Sequence, residues 1–307
     1  MNAYADFITI DEAACTGCGR CAAVCPTDTL AVIDGAATVV GTHCMACDHC
    51  GAVCREGAIV QRTSDEEACW FSTISVRDGW LPPGTVDTAV LVELMASRRS
   101  CRNFSSDAVS RDCLADLVKI GITAPTGTNS QAWTFTILSQ RGEVVRFGRE
   151  IAEFFRCVNR WAAHPFLCWI LKTMGWGALW RYRRDYYDII SEALEEWDSA
   201  GRDRLFHGAP AVMVVGSRPG ASCPTEDALL ATQNILLAAH AMGLRSCLIG
   251  FAVEAMRRDP AIRKSLGIPG EESVHAVIAL GYSGEAYRRR AGRMMPLVRF
   301  PDGRLNG

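Results

Sequence analysis

The sequence lacks several features that mark common classes of protein. Its 307 residues include 32 basic and 34 acidic side chains, so no excess of positive charge is present for nucleic acid. The first residues, MNAYADFITIDEAAC, contain no basic stretch followed by an apolar run, and we expect no secretory signal. No G-x-G-x-x-G stretch opens an expected helix, which argues against a built-in dinucleotide-binding Rossmann unit.

Long apolar runs are also missing. The segment nearest to a membrane span is 161–180, and it contains His164, Pro165, Lys172 and two glycines. A lysine at the centre of a membrane helix costs about 3 kcal/mol. We therefore expect no span, no membrane association and a cytoplasmic protein.

Cysteine, in contrast, is abundant, with 15 in the chain. Without a secretory signal, so many cysteines indicate metal binding rather than a disulfide scaffold. Eight of them form two copies of one motif, Cys-x2-Cys-x2-Cys-x3-Cys, at 15–25 and 44–54. Every cysteine of the first copy recurs 29 residues later, so the two copies are an internal duplication.

The motif spacing indicates iron–sulfur clusters. Three thiolates two residues apart can surround one side of a cubane cluster, while the fourth is better placed to bind the other cluster. The predicted ligands are therefore, for cluster one, Cys15, Cys18, Cys21 and Cys54, and for cluster two, Cys44, Cys47, Cys50 and Cys25. Over about residues 5–65 the segment resembles a bacterial ferredoxin with two [4Fe–4S] clusters, although Arg55 replaces the usual second proline.

Zinc binding is the main alternative role for the motif cysteines. Structural zinc sites usually pair two short knuckles across a longer loop, and tandem quartets of this form favour clusters instead. His43 and His49 adjoin the second motif, and we interpret them as neighbours rather than ligands. The seven remaining cysteines have no ligand spacing among them, and most are expected to be buried small hydrophobic residues.

Charge and composition divide the chain into two modules. Residues 1–67 hold three basic and ten acidic side chains, so the remainder carries the positive balance. Pro82-Pro83-Gly84 cannot continue a helix and closes a connecting segment. We predict a cluster domain at 1–65, a linker at 66–87 and a larger domain at 88–307.

Hydrophobic periodicity and turn residues predict alternating helices and strands in the larger domain. The predicted helices are 87–97, 111–123 with Ser110 as N-cap, 142–157, 226–242 and short ones within 253–267. The predicted strands are 132–138, 210–216, 245–249 and 273–281.

Three separated stretches carry a candidate cofactor site. RRSCRNF at 98–104 is a basic patch of phosphate size, although a solvated helix end would look the same. APTGTNSQAWTF at 124–135 offers backbone N–H groups and a side-chain amide to a planar ring. GLRSCLIGF at 243–251 has glycines at both ends of a short strand, where a backbone can approach a ligand closely.

Taken together, these stretches resemble the FMN-dependent nitroreductase family over about residues 88–300, and ALGYSGEAYRRR at 279–290 extends the match. The resemblance implies an α+β fold, a central sheet flanked by helices, in a homodimer with FMN at the interface and a C-terminal arm around the partner. It implies no catalytic side chain, because the chemistry belongs to the flavin.

The resemblance also implies which residues hold FMN. The first stretch would bind the phosphate, the ribityl chain and the pyrimidine edge with Arg98, Arg99, Ser100 and Arg102. The flavin ring would be lined by Thr126, Gly127 and Asn129, with Gln131 in the same site. Backbone near the reactive N5 side would come from Ile249 and Gly250. The phosphate site would be completed by one or two of Arg288, Arg289 and Arg290.

An aromatic section at about 158–205 corresponds to the family's variable lid. Its rings either cover an apolar substrate, or pack as helix core, or, with Arg181, Arg183 and Arg184, touch a membrane surface. These readings stay open at this point.

The leading functional hypothesis is an enzyme that passes electrons from the clusters to FMN and on to an organic acceptor, such as a nitro compound, a quinone or an activated alkene. An external low-potential donor, ferredoxin-like or other, would supply the electrons. The alternatives are an NAD(P)H-dependent nitro or quinone reductase with structural or sensory clusters, and a non-catalytic redox sensor.

Overall fold

A computed structural model of the chain describes residues 7–61, 65–77 and 79–301. Its N-terminal part contains four short strands and two short helices: β1 (Ile8–Ile10), α1 (Arg20–Ala23), β2 (Leu30–Ile33), β3 (Ala36–Val39), α2 (His49–Val53) and β4 (Ile59–Gln61). Strand β1 pairs antiparallel with β4, and β2 pairs antiparallel with β3. A small core of Ile8, Leu30, Ala37 and Ile59 packs with the buried Cys21 and Cys50.

The connecting segment is tied to the larger domain by a buried carboxylate. It contains a 3₁₀ turn at Glu66–Cys69. Beyond that turn, the backbone N–H groups of Ser72 and Thr73 donate to the Asp116 carboxylate, and the Thr73 hydroxyl also donates to it. Lys119 donates to the Trp70 carbonyl at 2.6 Å. Two residues of one helix, Asp116 and Lys119, thus hold residues 70–73 of the connecting segment.

The larger domain begins with helices and ends on a strand. Its helices are α3 (Thr88–Ser97), α4 (Arg111–Gly121), α5 (Arg141–Ala162), α6 (Pro165–Thr173), α7 (Ala178–Asp185), α8 (Tyr187–Ala200), α9 (Pro224–Ala241), α10 (Gly250–Arg258) and α11 (Pro260–Ser265). Its strands are β5 (Trp133–Leu138), β6 (Ala211–Ser217), β7 (Arg245–Leu248) and β8 (Ser273–Gly281).

The four strands form one antiparallel sheet in the order β5-β6-β8-β7. Successive side chains of a strand face opposite sides. Accordingly, Val212 and Val214 belong to a core with α5 and α10, whereas Met213 and Val215 belong to a second core with α4 and α9. The sheet is therefore covered by helices on both faces, as the predicted fold class requires.

Most predicted elements are present, with different ends. The Ser110 hydroxyl caps α4 by accepting the Cys113 N–H, as expected. Helix α5 continues to Ala162, five residues into the expected lid, because no proline or glycine interrupts it there. The helical section 253–267 is two helices, since Asp259 caps a new one that starts at Pro260. None of the helices in the described ranges is long and apolar enough to cross a membrane.

Candidate functional site

Four of the motif cysteines surround one cavity. Cys15 and Cys18 precede α1, Cys21 lies in its first turn, and Cys54 directly follows α2. Together with Arg20 and Arg55, among others, they line a cavity of about 220 Å³. The predicted ligand set of cluster one, including the distant Cys54, is thus brought to one place.

The thiols are spread around this cavity rather than gathered at a point. Within the described part of the chain, no three His, Cys, Asp or Glu side chains are close enough to hold a single metal ion. Burial raises the pKa of the Cys21 thiol, whereas the exposed Cys18 has its pKa lowered by the Arg20 backbone N–H. Metal binding removes the proton from either thiol, because the thiolate is the ligand.

The two motif loops follow the same backbone path. Gly17 and Gly19 take positive φ angles of 61° and 73°, and the equivalent Ala46 and Asp48 take 50° and 56°. Only the first loop requires glycine for space, because a Cβ on Gly17 would lie 2.1 Å from the Gly35 carbonyl oxygen. The duplication seen in the sequence is therefore also a duplication of conformation.

Two cysteines of the predicted ligand set for cluster two accept hydrogen bonds from backbone N–H groups. Cys25 Sγ accepts the Thr29 N–H and Cys44 Sγ accepts the Ala46 N–H, both at 3.3 Å. Cys47 is half-buried, and Cys50 is buried with its pKa raised by that burial. N–H groups aimed at sulfur stabilise thiolates and adjust the potential of a bound cluster. These surroundings fit an iron–sulfur cluster.

The basic stretch after α3 lies against the segment that follows β8. Arg99 Nη2 donates to the Arg289 carbonyl at 3.0 Å, and its guanidinium lies 5.4 Å from the centre of the Tyr287 ring. Arg290 reaches Glu93 at 4.0 Å. Residues predicted from two distant stretches to share a phosphate site are thus neighbours in the fold.

Arg245 is part of the same cationic group, and the sequence prediction missed it. Its Nη2 donates to the Glu285 carbonyl at 3.3 Å, and its Nη1 lies 3.5 Å from His240 Nδ1. Burial, and then the cations of Arg245 and Arg98, lower the pKa of His240, so this ring stays neutral. Arg245 lies within the stretch GLRSCLIGF, from which only Ile249 and Gly250 were predicted as flavin residues.

Two buried nitrogens in this group have no partner. The Nε atoms of Arg99 and Arg245 are shielded from solvent, yet neither meets a hydrogen-bond acceptor. A buried donor without an acceptor is costly, and guanidinium groups bind phosphate oxygens well. The surroundings therefore fit the phosphate of a flavin nucleotide.

The backbone at residues 100–101 pairs with strand β7. Ser100 bridges Ser246 in parallel, and the Cys101 N–H donates to the Ser246 carbonyl at 2.9 Å. Cys101 and Cys247 are both buried. Burial raises the pKa of the Cys247 thiol, so it stays protonated at neutral pH and is not an activated nucleophile. Arg102 lies beside this pairing with its side chain exposed.

The polar loop before β5 rests on the start of α9. The Gly127 N–H donates to the buried Asp227 carboxylate at 2.9 Å, and the Gln131 N–H donates to the Thr126 hydroxyl at 3.2 Å. Thr128, Asn129 and Gln131 all take positive φ angles, between 45° and 54°. The role of Asp227 was not predicted from the sequence. Acidic residues are common in the first turn of a helix because they interact favourably with the helix dipole, so Asp227 did not stand out.

Asn129 connects this loop to the cluster module. Its Nδ2 donates to the carbonyls of Met45 and Ala46, at 3.1 Å and 2.7 Å. Both acceptors lie between the first two cysteines of the second motif. The predicted flavin residues therefore form two groups, one around Arg98–Arg102 and one on the loop that touches the cluster module.

The start of α10 opens onto an apolar cavity. Ile249 is the N-cap and is buried, and Gly250 is the first helical residue, with open space where a Cβ would stand. Gly250 lines a cavity of about 670 Å³ with seven aromatic side chains: Phe154, Phe155, Trp161, Trp176, Tyr182, Tyr186 and Phe251. Arg181, Arg258 and Glu254 also line it. The predicted lid thus encloses space beside a predicted flavin residue.

Comparison with known proteins identifies both parts. Residues 95–282 match the nitroreductase family, and residues 7–55 match a 4Fe-4S dicluster domain. A Caenorhabditis elegans iodotyrosine dehalogenase 1 homolog is 26% identical over 203 residues, which cover 65% of this chain and only 56% of that protein. A Nocardioides 4-nitrobenzoate reductase is 27% identical over 209 residues, covering 62% of this chain and 78% of the relative.

A solved structure is also similar to part of this chain. A nitroreductase with bound FMN from Desulfitobacterium hafniense is 22% identical, with 68% of this chain and 97% of that chain covered and a TM-score of 0.48. The family matches confirm the expected nitroreductase-like α+β fold with a ferredoxin-like domain before it. The chain belongs to the nitroreductase family and carries a 4Fe-4S dicluster domain ahead of its nitroreductase domain.

Proposed function

We propose that this protein is an iron–sulfur flavoprotein that takes electrons from an external low-potential donor at its two [4Fe–4S] clusters and passes them through FMN to an organic acceptor. The observation that carries the proposal is that one chain builds both ends of such a path. One end is the cavity surrounded by four cysteine thiols, and the other is the cationic group with two buried, unpartnered guanidinium nitrogens. Joining both ends in one chain replaces a bimolecular encounter with a high effective concentration.

FMN, when bound, accepts electrons one at a time and delivers two to an acceptor. In this proposal Arg99 and Arg245 hold its phosphate, together with Arg98, Arg102 and the arginines at 288–290. Ser100 supports the pyrimidine edge, and the backbone of Ile249 and Gly250 faces the N5 side. The ring is lined by Thr126, Gly127, Asn129 and Gln131. The guanidinium groups also stabilise the negative charge of a reduced flavin.

The separation of the predicted flavin residues into two groups is consistent with a homodimer. Nitroreductase-family proteins are typically homodimers with FMN. The segment after β8 exposes large apolar side chains, with Met294 at 95% and Met295 at 90% of full exposure. Helix α3 likewise exposes Val90, Val92 and Met95. Apolar surface of this extent is typical of a protein interface, and we propose that a second copy covers it.

The acceptor binds in the cavity of about 670 Å³ beside Gly250. Its aromatic lining suits a planar, largely apolar molecule, and its size is in the range of small-molecule sites. Two guanidinium groups and one carboxylate, from Arg181, Arg258 and Glu254, favour an acceptor with a negative group. Nitro compounds, quinones and activated alkenes fit these requirements, and two relatives are named for aromatic substrates.

Steady-state assays under anaerobic conditions test the proposal. The reconstituted protein is given 4-nitrobenzoate or menadione as acceptor, with a reduced ferredoxin, NADH or NADPH as donor. We expect turnover with the ferredoxin and loss of that turnover in Cys47→Ala. The matched control is Cys157→Ala, because Cys157 is exposed and lies outside both motifs.

The same assay separates the alternatives. Equal turnover with NADPH in wild type and Cys47→Ala, with none from ferredoxin, would identify an NAD(P)H-dependent reductase whose clusters are structural. Reduction of the flavin without reoxidation by any acceptor would indicate a sensor. Either result would contradict the proposal.

A further inference from the structure

A single side-chain amide joins the second cluster motif to the flavin loop. The two hydrogens of Asn129 Nδ2 match two acceptors, the Met45 carbonyl at 3.1 Å and the Ala46 carbonyl at 2.7 Å. Asn129 is more than 80 positions from Met45 and Ala46 in the sequence, so the contact belongs to the folded arrangement of the two modules. Because both donors are used, only the amide oxygen of Asn129 remains for another partner.

Both sides of this contact are held in an uncommon backbone conformation. Asn129 has φ 54° and Ala46 has φ 50°, in the left-handed region that residues other than glycine rarely adopt. Such a conformation persists where the surroundings fix it, and it is common where loops serve a function. The carbonyl of Ala46 accepts the hydrogen bond from Asn129. The equivalent Gly17 instead packs against Gly35 of its own module.

The two motifs therefore face different surroundings. Cys18 of the first motif is exposed, and so is the neighbouring Thr16. Cys47, the counterpart of Cys18, is half-buried beside the loop that Asn129 holds. One cluster position is open to an external molecule, and the other lies against the flavin domain.

We infer that the cluster held by Cys44, Cys47, Cys50 and Cys25 is the one that delivers electrons to FMN, and that Asn129 is the positioning residue that keeps its loop against the flavin loop. The cluster at Cys15, Cys18, Cys21 and Cys54 then receives electrons from outside. This inference rests on the proposed function and assigns an order to its two clusters.

The electrons balance in two identical rounds. In each round the low-potential donor would lose one electron to the cluster that Cys15, Cys18, Cys21 and Cys54 would hold. The cluster that Cys44, Cys47, Cys50 and Cys25 would hold would then pass one electron to FMN. Two such rounds would supply the two electrons, and solvent the two protons, that full reduction of FMN requires. No side chain changes its covalent bonds.

The contact itself is tested by amide hydrogen exchange on the holoenzyme. Asn129→Asp removes both donors and places carboxylate oxygens against two carbonyls, so the peptide covering 44–50 should exchange about tenfold faster, as expected when two net hydrogen bonds are lost. The peptide covering 15–21 should not change. Ser222→Ala is the matched control, because Ser222 contacts the same loop through Thr128 and not through Asn129. Unchanged exchange at 44–50 would refute the role of Asn129.

The order of the clusters is tested by single-turnover flavin reduction with reduced methyl viologen, which can reach either cluster. The double variant Cys18→Ala/Cys47→Ala gives the rate of direct reduction. We expect the rate of flavin reduction in Cys47→Ala to fall to that of the double variant. The rate in Cys18→Ala should stay within about threefold of wild type, which corresponds to a small change in the activation barrier. Iron, sulfide and FMN contents, with the cluster EPR signals, establish what each variant retains.

The results separate the two levels of the account. If Cys18→Ala falls to the direct rate and Cys47→Ala does not, the order of the clusters is wrong although the path exists. If wild type is no faster than the double variant, the proposed function itself fails. Asn129→Asp provides an independent check where a cysteine variant does not assemble. Its rate of flavin reduction, measured per bound FMN, should fall about tenfold, in line with two lost hydrogen bonds.

Discussion

Replacement of Asp116 by asparagine should destabilise the attachment of the linker to the nitroreductase domain. The Asp116 carboxylate is fully buried and accepts three donors, namely the Ser72 N–H, the Thr73 N–H and the Thr73 hydroxyl, at 3.0, 2.6 and 2.6 Å. These bonds outweigh the effect of burial, which alone would raise the pKa, so the pKa of this carboxyl lies below its usual value. The linker therefore depends on a charged acceptor.

The magnitude follows from these bonds. A hydrogen bond to a charged group contributes roughly 1.5–3 kcal/mol, and asparagine keeps one neutral acceptor while turning an NH₂ group toward backbone donors. We expect a loss of about 3 kcal/mol in the free energy of unfolding. For a domain of this size, each kcal/mol lowers the unfolding midpoint by roughly 2–4 °C, so the midpoint should fall by about 6–12 °C.

The dependence on pH gives the prediction a second readout. A carboxyl whose folded pKa is lowered contributes stability above its unfolded pKa of about 3.9, and that contribution is lost as the pH falls through the folded pKa. The difference in unfolding midpoint between wild type and Asp116→Asn should therefore be roughly constant from about pH 6 to 8. It should shrink below about pH 4.

Calorimetry of the holoenzyme, with limited proteolysis of the linker, measures both effects. Asp112→Asn is the matched control, because Asp112 lies on the same helix and is exposed. A fall of less than about 2 °C in Asp116→Asn, equal to that of the control, would refute the idea that this carboxylate anchors the linker.

Three further substitutions test the site. Arg245→Ala should weaken FMN binding about tenfold or more by removing a charged phosphate donor, as fluorescence titration of the apoprotein measures; unchanged affinity would contradict its role. Gly127→Ala should lower the bound FMN content, since its Cβ would lie 2.4 Å from Ser222 Oγ and 2.9 Å from Cys223 Sγ. Gly142→Ala is the control, because a Cβ there has ample space. Equal FMN content in the two variants would contradict the close fit at Gly127. Arg181→Gln should raise KM for 4-nitrobenzoate and leave KM for uncharged nitrobenzene unchanged; equal effects on both would exclude charge recognition.

The sequence predicted the features that repeat or follow a short period. The cysteine spacing and its duplication predict two clusters because ligand geometry imposes a fixed pattern on the chain. The buried strand Ala211–Ser217 and the capped helix after Ser110 follow from hydrophobic pattern and cap chemistry. The family assignment rested on several weak stretches in one order, and the family match confirms it.

Long-range contacts could not be predicted from local sequence patterns. The partners of Asp116 and Asp227 lie 43–44 and 97–100 positions away, and no local pattern specifies them. Asn129 was predicted to contact flavin, and its bonds to Met45 and Ala46 depend on how two modules dock. The domain limits and the ligand and flavin residues stay predictions.

Single-turnover reduction of FMN tests the central claim most directly. Wild type and the double variant Cys18→Ala/Cys47→Ala are mixed anaerobically with a reduced ferredoxin, and flavin absorbance is followed by stopped flow. We expect reduction at least about tenfold faster in wild type, because only the intact clusters connect this donor to the flavin. Equal rates in the two proteins, with equal FMN content, would contradict it.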